Sequence, residues 1–401
     1  MRQAGAATPS PAAAVPRSPY VVLSCAMSLD GHIDDTSPRR LVLSNEADLD
    51  RVDAQRAASD AILVGANTVR RDDPRLLVRS PARRAERARR GLPASPLKVT
   101  VTGRGELDPS AQFFAALEGA AGAGVYCASA AVAKVRERLG GVAEVVDAGD
   151  PVRLERVLGD LAGRGVRRLL VEGGSAVQAQ FLGAGLANEL HLVIAPLLVG
   201  DAAAPRFGGG ARASGLNLVE AQPLGEVVLL RYLLPRAEDR RWLEAAVELS
   251  RRCPPSPAAY SVGAVIVGAD GAELARGFSR EGDPHEHAEE AALRKLPAGD
   301  PRLAEATLYS SLEPCGARRS RPMSCAALAL RAGIRRVVYA LREPPLLAAG
   351  HGAAALRAAG VTVIEVPDLA GRVREVNAHL LPGSASTSTA PTSASSSAVD
   401  G

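Results

Sequence analysis

The segment SLEPCGARRSRPMSC, residues 311–325, reads as the end of a strand, a nine-residue loop between two cysteines, and the start of a helix. A strand that stops at Cys315 and a helix that opens at Cys325 put two thiols at the same end of one strand–loop–helix unit. Upstream, HAEEAAL at 287–293 opens another helical stretch on His287. Outward from these, SVGAVIV (261–267), ATLYSS (306–311) and RRVVYA (335–340) are short apolar runs of strand type, separated by Ala-rich helical segments at 288–296 and 325–333. Residues 241–381 therefore read as a compact α/β domain.

The residue types at the ends of those elements define a chemistry. Two thiolates and an imidazole make a tetrahedral zinc site with the fourth position open for water, so Cys315, Cys325 and His287 are the expected ligands. The metal brings that water's pKa towards neutrality. A carboxylate beside the metal, but not bound to it, must then carry the proton to a ring nitrogen and a leaving amine, and Glu289 is the expected catalytic residue. His285 is the nearby rival ligand; His287 is preferred because a Glu follows two positions on. Cys25, Cys127 and Cys253 have no partners at ligand spacing and read as core or incidental thiols. The deaminase signature H-x-E followed by P-C-x-x-C has its cysteines close together. The longer loop here argues against a plain cytidine or tRNA-adenosine deaminase. Within loop 318–321, Arg318, Arg319 and Arg321 are either phosphate contacts or a solvated loop, and both readings stand.

A second α/β pattern occupies the first half. YVVLSCAM (20–27), AILVG (61–65), LKVTVT (97–102), RRLLVE (167–172) and HLVIAP (191–196) alternate with helical stretches. Gly173, Gly174 and Ser175 follow a strand and begin a helix, an arrangement in which backbone N–H groups can approach a phosphate. A strand-like EVVLLRYL (226–233) precedes the junction, placed at 233–240, and a helix-like WLEAAVELS follows it. Residues 1–18 and 382–401, rich in Ala, Pro, Ser and Thr, read as disordered ends.

Composition bounds the function. With 48 basic against 44 acidic residues the net charge is only +4, and the one dense basic run, at 83–90, is broken by Glu86, so it reads as a solvated helix face or loop; no nucleic-acid partner is expected. Five cysteines are too few and odd in number for a disulfide framework, and no stretch reads as a membrane span or signal peptide, which suggests a cytoplasmic protein. Aromatics are 3% of the chain, so Val, Leu, Ile and Ala must build the cores.

The quoted motifs together resemble the bifunctional deaminase/reductase family of riboflavin biosynthesis, with the two domains in the reverse of the commoner order. The deaminase likeness rests on SVGAVIV, HAEEAAL, LEPC and AGIRRVVYA. The reductase likeness rests on AMSLDGHI (26–33), ASDAILVGANTVRRDDPRLLVR (58–79), LLVEGGS (169–175) and LHLVIAPLLVG (190–200). The resemblance implies a dihydrofolate-reductase-like α/β domain over 19–232 and a cytidine-deaminase-like α/β/α layered domain after it. It implies NADPH held near Thr68, Asp72, Gly173, Gly174 and Ser175. It implies that Arg56, Leu76, Arg79 and Glu172 contact a small-molecule pyrimidine ribosyl phosphate, with Asp30 and Gly31 shaping the wall around the ribose, and that the chain forms a homodimer. The expected reactions are deamination of a diaminopyrimidine ribosyl phosphate and NADPH-dependent reduction of its ribosyl group to ribityl, in an order the sequence leaves open. A related pyrimidine nucleotide, or a chain with only one active domain, are the alternatives, and a nucleic-acid base editor is disfavoured by the mild charge.

Overall fold

The computed structural model describes residues 18–37, 39–115, 119–209, 215–318, 321–343 and 351–380. The ends expected to be disordered lie outside them except for Ser18, as does Arg319. In the first half the strands are β1 (Tyr20–Ser28), β2 (Ala61–Gly65), β3 (Leu97–Thr102), β4 (Ala123–Cys127), β5 (Glu144–Asp147), β6 (Arg168–Glu172), β7 (Glu189–Ala195), β8 (Asn217–Leu224) and β9 (Val227–Leu233). The helices are α1 (Glu46–Ala57), α2 (Ala66–Asp72), α3 (Pro81–Arg89), α4 (Gln112–Ala115), α5 (Val132–Leu139), α6 (Leu154–Gly163) and α7 (Ser175–Gly183).

These strands form one nine-stranded sheet in the order β5-β4-β3-β2-β6-β1-β7-β9-β8. From β5 to β7 neighbours pair parallel, and the hairpin β8–β9 closes the far side antiparallel. Helices cover both faces, so the central strands carry near-continuous apolar runs, such as AILVG in β2 and LLV in β6, with polar residues such as Ser24 and Glu172 where the cavity lies. Along β1, Val21 and Leu23 enter the core of one face and Val22 that of the other.

The junction is narrower than expected. Leu233 still belongs to β9 and helix α8 (Ala237–Ser250) begins four residues later, so only residues 234–236 connect the halves. Asp239 closes a capping box at the start of this helix, accepting from the Arg236 backbone N–H at 2.7 Å.

The second half has β10 (Gly263–Val267), β11 (Glu273–Phe278), α9 (Ala288–Leu293), β12 (Thr307–Leu312), α10 (Cys325–Arg331), β13 (Arg336–Leu341), α11 (Gly352–Ala358), β14 (Thr362–Glu365) and α12 (Ala370–Val376). Its sheet runs β11-β10-β12-β13-β14, with β12, β13 and β14 parallel. Helices α9 and α10 end at Leu293 and Arg331, short of the expected 296 and 333. Val262, Ile266, Leu308, Tyr309, Val337 and Val338 form its core with Leu243 and Val247 of α8. Beneath that core, Asp239 is fully buried and takes both Arg336 Nη atoms at 2.7 Å and the Tyr309 hydroxyl at 2.9 Å.

The halves touch along two edge strands. Asn217 on β8 donates its amide to Glu365 O at 3.1 Å and accepts the Glu365 N–H at 2.8 Å, on β14. Arg240 pairs with Asp368 close by. Among the described residues no helix is long and apolar enough to cross a membrane.

Candidate active sites

The ends of β12, α9 and α10 converge at one point of the second sheet. His287 is the residue before α9, Cys325 is its counterpart at the head of α10, and Cys315 lies just beyond β12. His287 Nδ1 stands 3.7 Å from Cys315 Sγ and 3.3 Å from Cys325 Sγ, and the three ligand atoms all lie within 4.8 Å of one another. Metal–ligand bonds of ~2.0–2.3 Å in tetrahedral geometry separate ligand atoms by ~3.5 Å, so this donor set fits zinc. Hydrogen bonding from Cys325 and the His287 ring, against the opposing effect of burial, lowers the Cys315 thiol from its ordinary value. His285, the rival ligand, is exposed and outside the cluster.

Glu289, buried within the first turn of α9, accepts from Ser310 Oγ at 2.8 Å and lines a cavity of about 290 Å³ with His287 and Cys315. Arg318 also lines it, but its guanidinium donates to Met323 O at 2.6 Å and Glu290 at 2.9 Å, with only 5% of the side chain exposed. Arg321 pairs with Asp283 at 3.1 Å. Arg318 is therefore not the solvated loop side chain of one sequence reading, whereas Arg321 is 36% exposed. One carboxyl in this cavity was missed: Glu343 has no hydrogen-bond partner for Oε2 among the described residues. Burial first, then Cys315, Glu313 and Glu289, push it up to about 8. Its position two residues past β13, at the carboxyl end of a parallel strand, was the available signal.

The first sheet carries its cavity, of about 400 Å³, at the carboxyl ends of β1 and β6. Thr68, Asp72, Arg56, Arg79, Glu172, Gly173, Gly174 and Ser175 all line it; Leu76 is buried in an adjoining cleft that shares Arg56, Asp72 and Arg79. Gly173 and Gly174 have φ of +64° and +80°, and a Cβ on Gly174 would sit 3.2 Å from Thr68 Oγ1. Only glycine fits that turn without strain. Arg56 is bound to Glu172 by Nε at 2.7 Å and Nη2 at 2.6 Å, and its Nη1 donates to Leu77 O, so two residues expected to meet substrate chiefly meet each other. Arg79 is exposed and its guanidinium has no ion-pair partner among the described residues; its backbone N–H is fixed by Asp53 at 2.5 Å.

Asp30 and Gly31 do not line this cavity. The Asp30 carboxylate instead accepts from Ser28 at 2.5 Å, Val199 N–H and Gly200 N–H, and Ile33 and Asp34 take the place on the wall. Cys25, read as an incidental thiol, does reach the cavity, with its thiol pushed up to about 12 by burial. The basic run at 83–90 is mostly helix α3, and Arg87 is buried, donating to Ala57 O, Ser59 O and Pro93 O.

A polar row crosses the sheet beside the cavity. Glu172, Ser24, His191, Arg231 and Glu220 are successive register partners on β6, β1, β7, β9 and β8. Beside it, Glu189 on β7 receives His191 Nε2 at 2.8 Å, the Tyr20 hydroxyl at 3.0 Å and Arg231 Nη2 at 2.7 Å. Burial alone would raise Glu189; His191 and Arg231 overcome it and hold the carboxyl at about 2.

Residues 19–230, more than half of the chain, match the RibD C-terminal domain. The chain belongs to the RibD C-terminal domain family. A second match, over 236–341, is to the cytidine and deoxycytidylate deaminase zinc-binding region. The reductase-type part of this RibD-family chain thus precedes the deaminase-type part, as the sequence motifs indicated. It is 39% identical over 188 residues to the 2,5-diamino-6-ribosylamino-4(3H)-pyrimidinone 5′-phosphate reductase of Archaeoglobus fulgidus, covering 47% of this chain and 84% of the relative. The reductase of the same name from Methanothermobacter thermautotrophicus is 37% identical over 225 residues, 53% of this chain and 97% of the relative. The diaminohydroxyphosphoribosylamino-pyrimidine deaminase of Schizosaccharomyces pombe is 33% identical over 136 residues, 33% of each chain.

Proposed function

We propose that the chain performs two steps of riboflavin biosynthesis: hydrolytic deamination of a diaminopyrimidine ribosyl phosphate, and NADPH-dependent reduction of its ribosyl group to ribityl. The observation that carries this reading is the juxtaposition of His287, Cys315, Cys325 and buried Glu289 on a chain whose other half belongs to the RibD C-terminal domain family.

In the deaminase cavity His287, Cys315 and Cys325 would hold zinc, which when bound supplies Lewis-acid activation of water. Glu289 then moves the proton to the ring nitrogen and the leaving amine, its Oε1 oriented by the Ser310 hydroxyl. In the reductase cavity the Gly173–Gly174 turn and Thr68 would take a phosphate of the cofactor at the start of α7, and Arg79 the phosphate of the substrate. No acid/base dyad stands out beside them, so hydride transfer to the sugar rests on positioning. Cytoplasmic location, from the cysteine content and the absence of a signal-peptide pattern, and a homodimer, from the family likeness alone, belong to the same proposal.

The test is the purified full chain, with its zinc content measured, given the diaminopyrimidine ribotide and NADPH. Ammonia release and NADPH oxidation, each with its own product, are expected. A zinc-loaded chain that releases no ammonia would refute the proposed deaminase substrate.

A further inference from the structure

The cavity wall formed by α1 carries a charged pair that the proposed function leaves unused. Asp48, Leu49, Arg51, Val52 and Arg56 all face the reductase cavity from this helix. Asp48 and Arg51 are joined by Nε to Oδ1 at 2.7 Å, with side chains only 1% and 13% exposed. A charged pair taken this far out of water is costly unless its remaining polar atoms find partners. Here they are incomplete. Asp48 Oδ2 has no partner among the described residues, and Arg51 Nη2 has only a 3.5 Å contact to Ser24 Oγ.

The pair is nonetheless fixed in place. Arg51 Nη1 lies 3.0 Å from His191 Nδ1, and since a guanidinium only donates, Nδ1 must accept and Nε2–H must point to Glu189. Glu189 is itself held by Arg231 and Tyr20. A buried chain of hydrogen bonds thus orients one cation whose spare N–H groups, and one carboxylate whose spare oxygen, stand side by side at a cavity. Its rim at this end is apolar: Val42 and Leu49 are 71% and 38% exposed, and Leu43 and Val52 lie beside them. A planar ring with adjacent acceptor and donor atoms matches such a wall.

We propose that Arg51 and Asp48 bind the amide edge of the substrate's pyrimidine ring, Arg51 donating to the ring carbonyl and Asp48 accepting the neighbouring ring N–H. This rests on the proposed reductase function and adds the group that recognises the base. A 4(3H)-pyrimidinone carries that edge, and so does the uracil that deamination produces. The pair therefore holds the base before or after deamination and leaves the order of the two reactions free.

The experiment compares the full chain with Arg51→Gln, Arg51→Lys and Asp48→Asn, using the ribosylaminopyrimidine 5′-phosphate, ribose 5-phosphate as a fragment without the base, and NADPH. Arg51→Gln and Asp48→Asn should raise KM for the ribotide by roughly tenfold to a hundredfold, because each leaves a buried partner unpaired. Arg51→Lys should recover part of the loss. Binding of NADPH and of ribose 5-phosphate should stay within about twofold, whereas Arg79→Ala weakens ribose 5-phosphate as well. An unchanged ribotide KM, or an equal loss for ribose 5-phosphate or NADPH, would overturn the assignment. If Arg51→Gln does not fold by thermal melting, the smaller Asp48→Asn change decides. A wild-type chain without turnover would refute the proposed function instead, and calorimetric binding of ribotide against ribose 5-phosphate would still test the base contact.

Discussion

Asp239→Ala removes the acceptor of four hydrogen bonds at the start of α8: two from Arg336, one from Tyr309 and one from the Arg236 backbone. The aspartate is fully buried and 15% of the Arg336 side chain is exposed, so truncation strands a guanidinium that water reaches poorly. Breaking one side of a buried pair costs about 3–5 kcal/mol, and the lost cap contributes about 1 kcal/mol within that total. For a unit of this size the loss lowers Tm by roughly 10–20 °C. Trp242, the single tryptophan, lies on the same helix, so its fluorescence in a urea titration follows the deaminase half, while NADPH binding follows the other half. The double change Asp239→Leu with Arg336→Met should restore most of the loss, since it leaves no charge behind. The effect also has a pH signature. Arg336 outweighs burial and lowers the Asp239 carboxyl below its ordinary 3.8, so its contribution is complete above that value and fades as pH falls through the lowered one. The stability difference between wild type and variant should therefore narrow as pH falls below the ordinary carboxylate range. A loss under about 1 kcal/mol, or an equal shift in both halves, would refute the reasoning.

Glu289→Gln should retain stoichiometric zinc by elemental analysis while ammonia release falls by roughly a hundredfold to ten-thousandfold, with NADPH binding unaffected. Cys325→Ala should lose the metal and, because Cys325 is fully buried at the head of α10, also lower the melting temperature of the deaminase half. Gly174→Ala forces a side chain into φ +80° and against Thr68, so NADPH titration should show affinity reduced by about tenfold, from roughly 1–2 kcal/mol of backbone strain. Arg79→Ala should raise KM for the phosphorylated substrate with little change for its dephosphorylated form.

The apolar runs of β1, β2 and β6 were legible because both faces of their sheet are covered, and in β3 the buried polar residues Lys98, Thr100 and Thr102 alternate with Val and Leu without breaking the strand pattern. Strands β4 and β5 were not: AGVYC has two small residues among five, and EVVD is an edge strand of intermediate and exposed residues. The zinc cluster could be inferred because its ligand types are chemically distinctive and begin or end regular elements. The Arg56–Glu172 pair could not, since nothing in either neighbourhood says that residues 116 apart will be bidentate partners. Arg51 and Asp48 were hidden for a related reason. On α1 they look like an ordinary i,i+3 surface pair, and only the strand register that brings His191 underneath turns them towards a cavity.

The mutual amide contact of Asn217 with Glu365 has a consequence for dissecting the two activities. Its side chain imitates one peptide unit of a neighbouring strand, occupying both backbone hydrogen-bonding groups of Glu365 at the open margin of the smaller sheet. Expressing the deaminase half alone would uncover that margin, the kind of ready template on which chains associate edge to edge. An isolated half that precipitates would therefore say more about a lost neighbour than about a failure to fold.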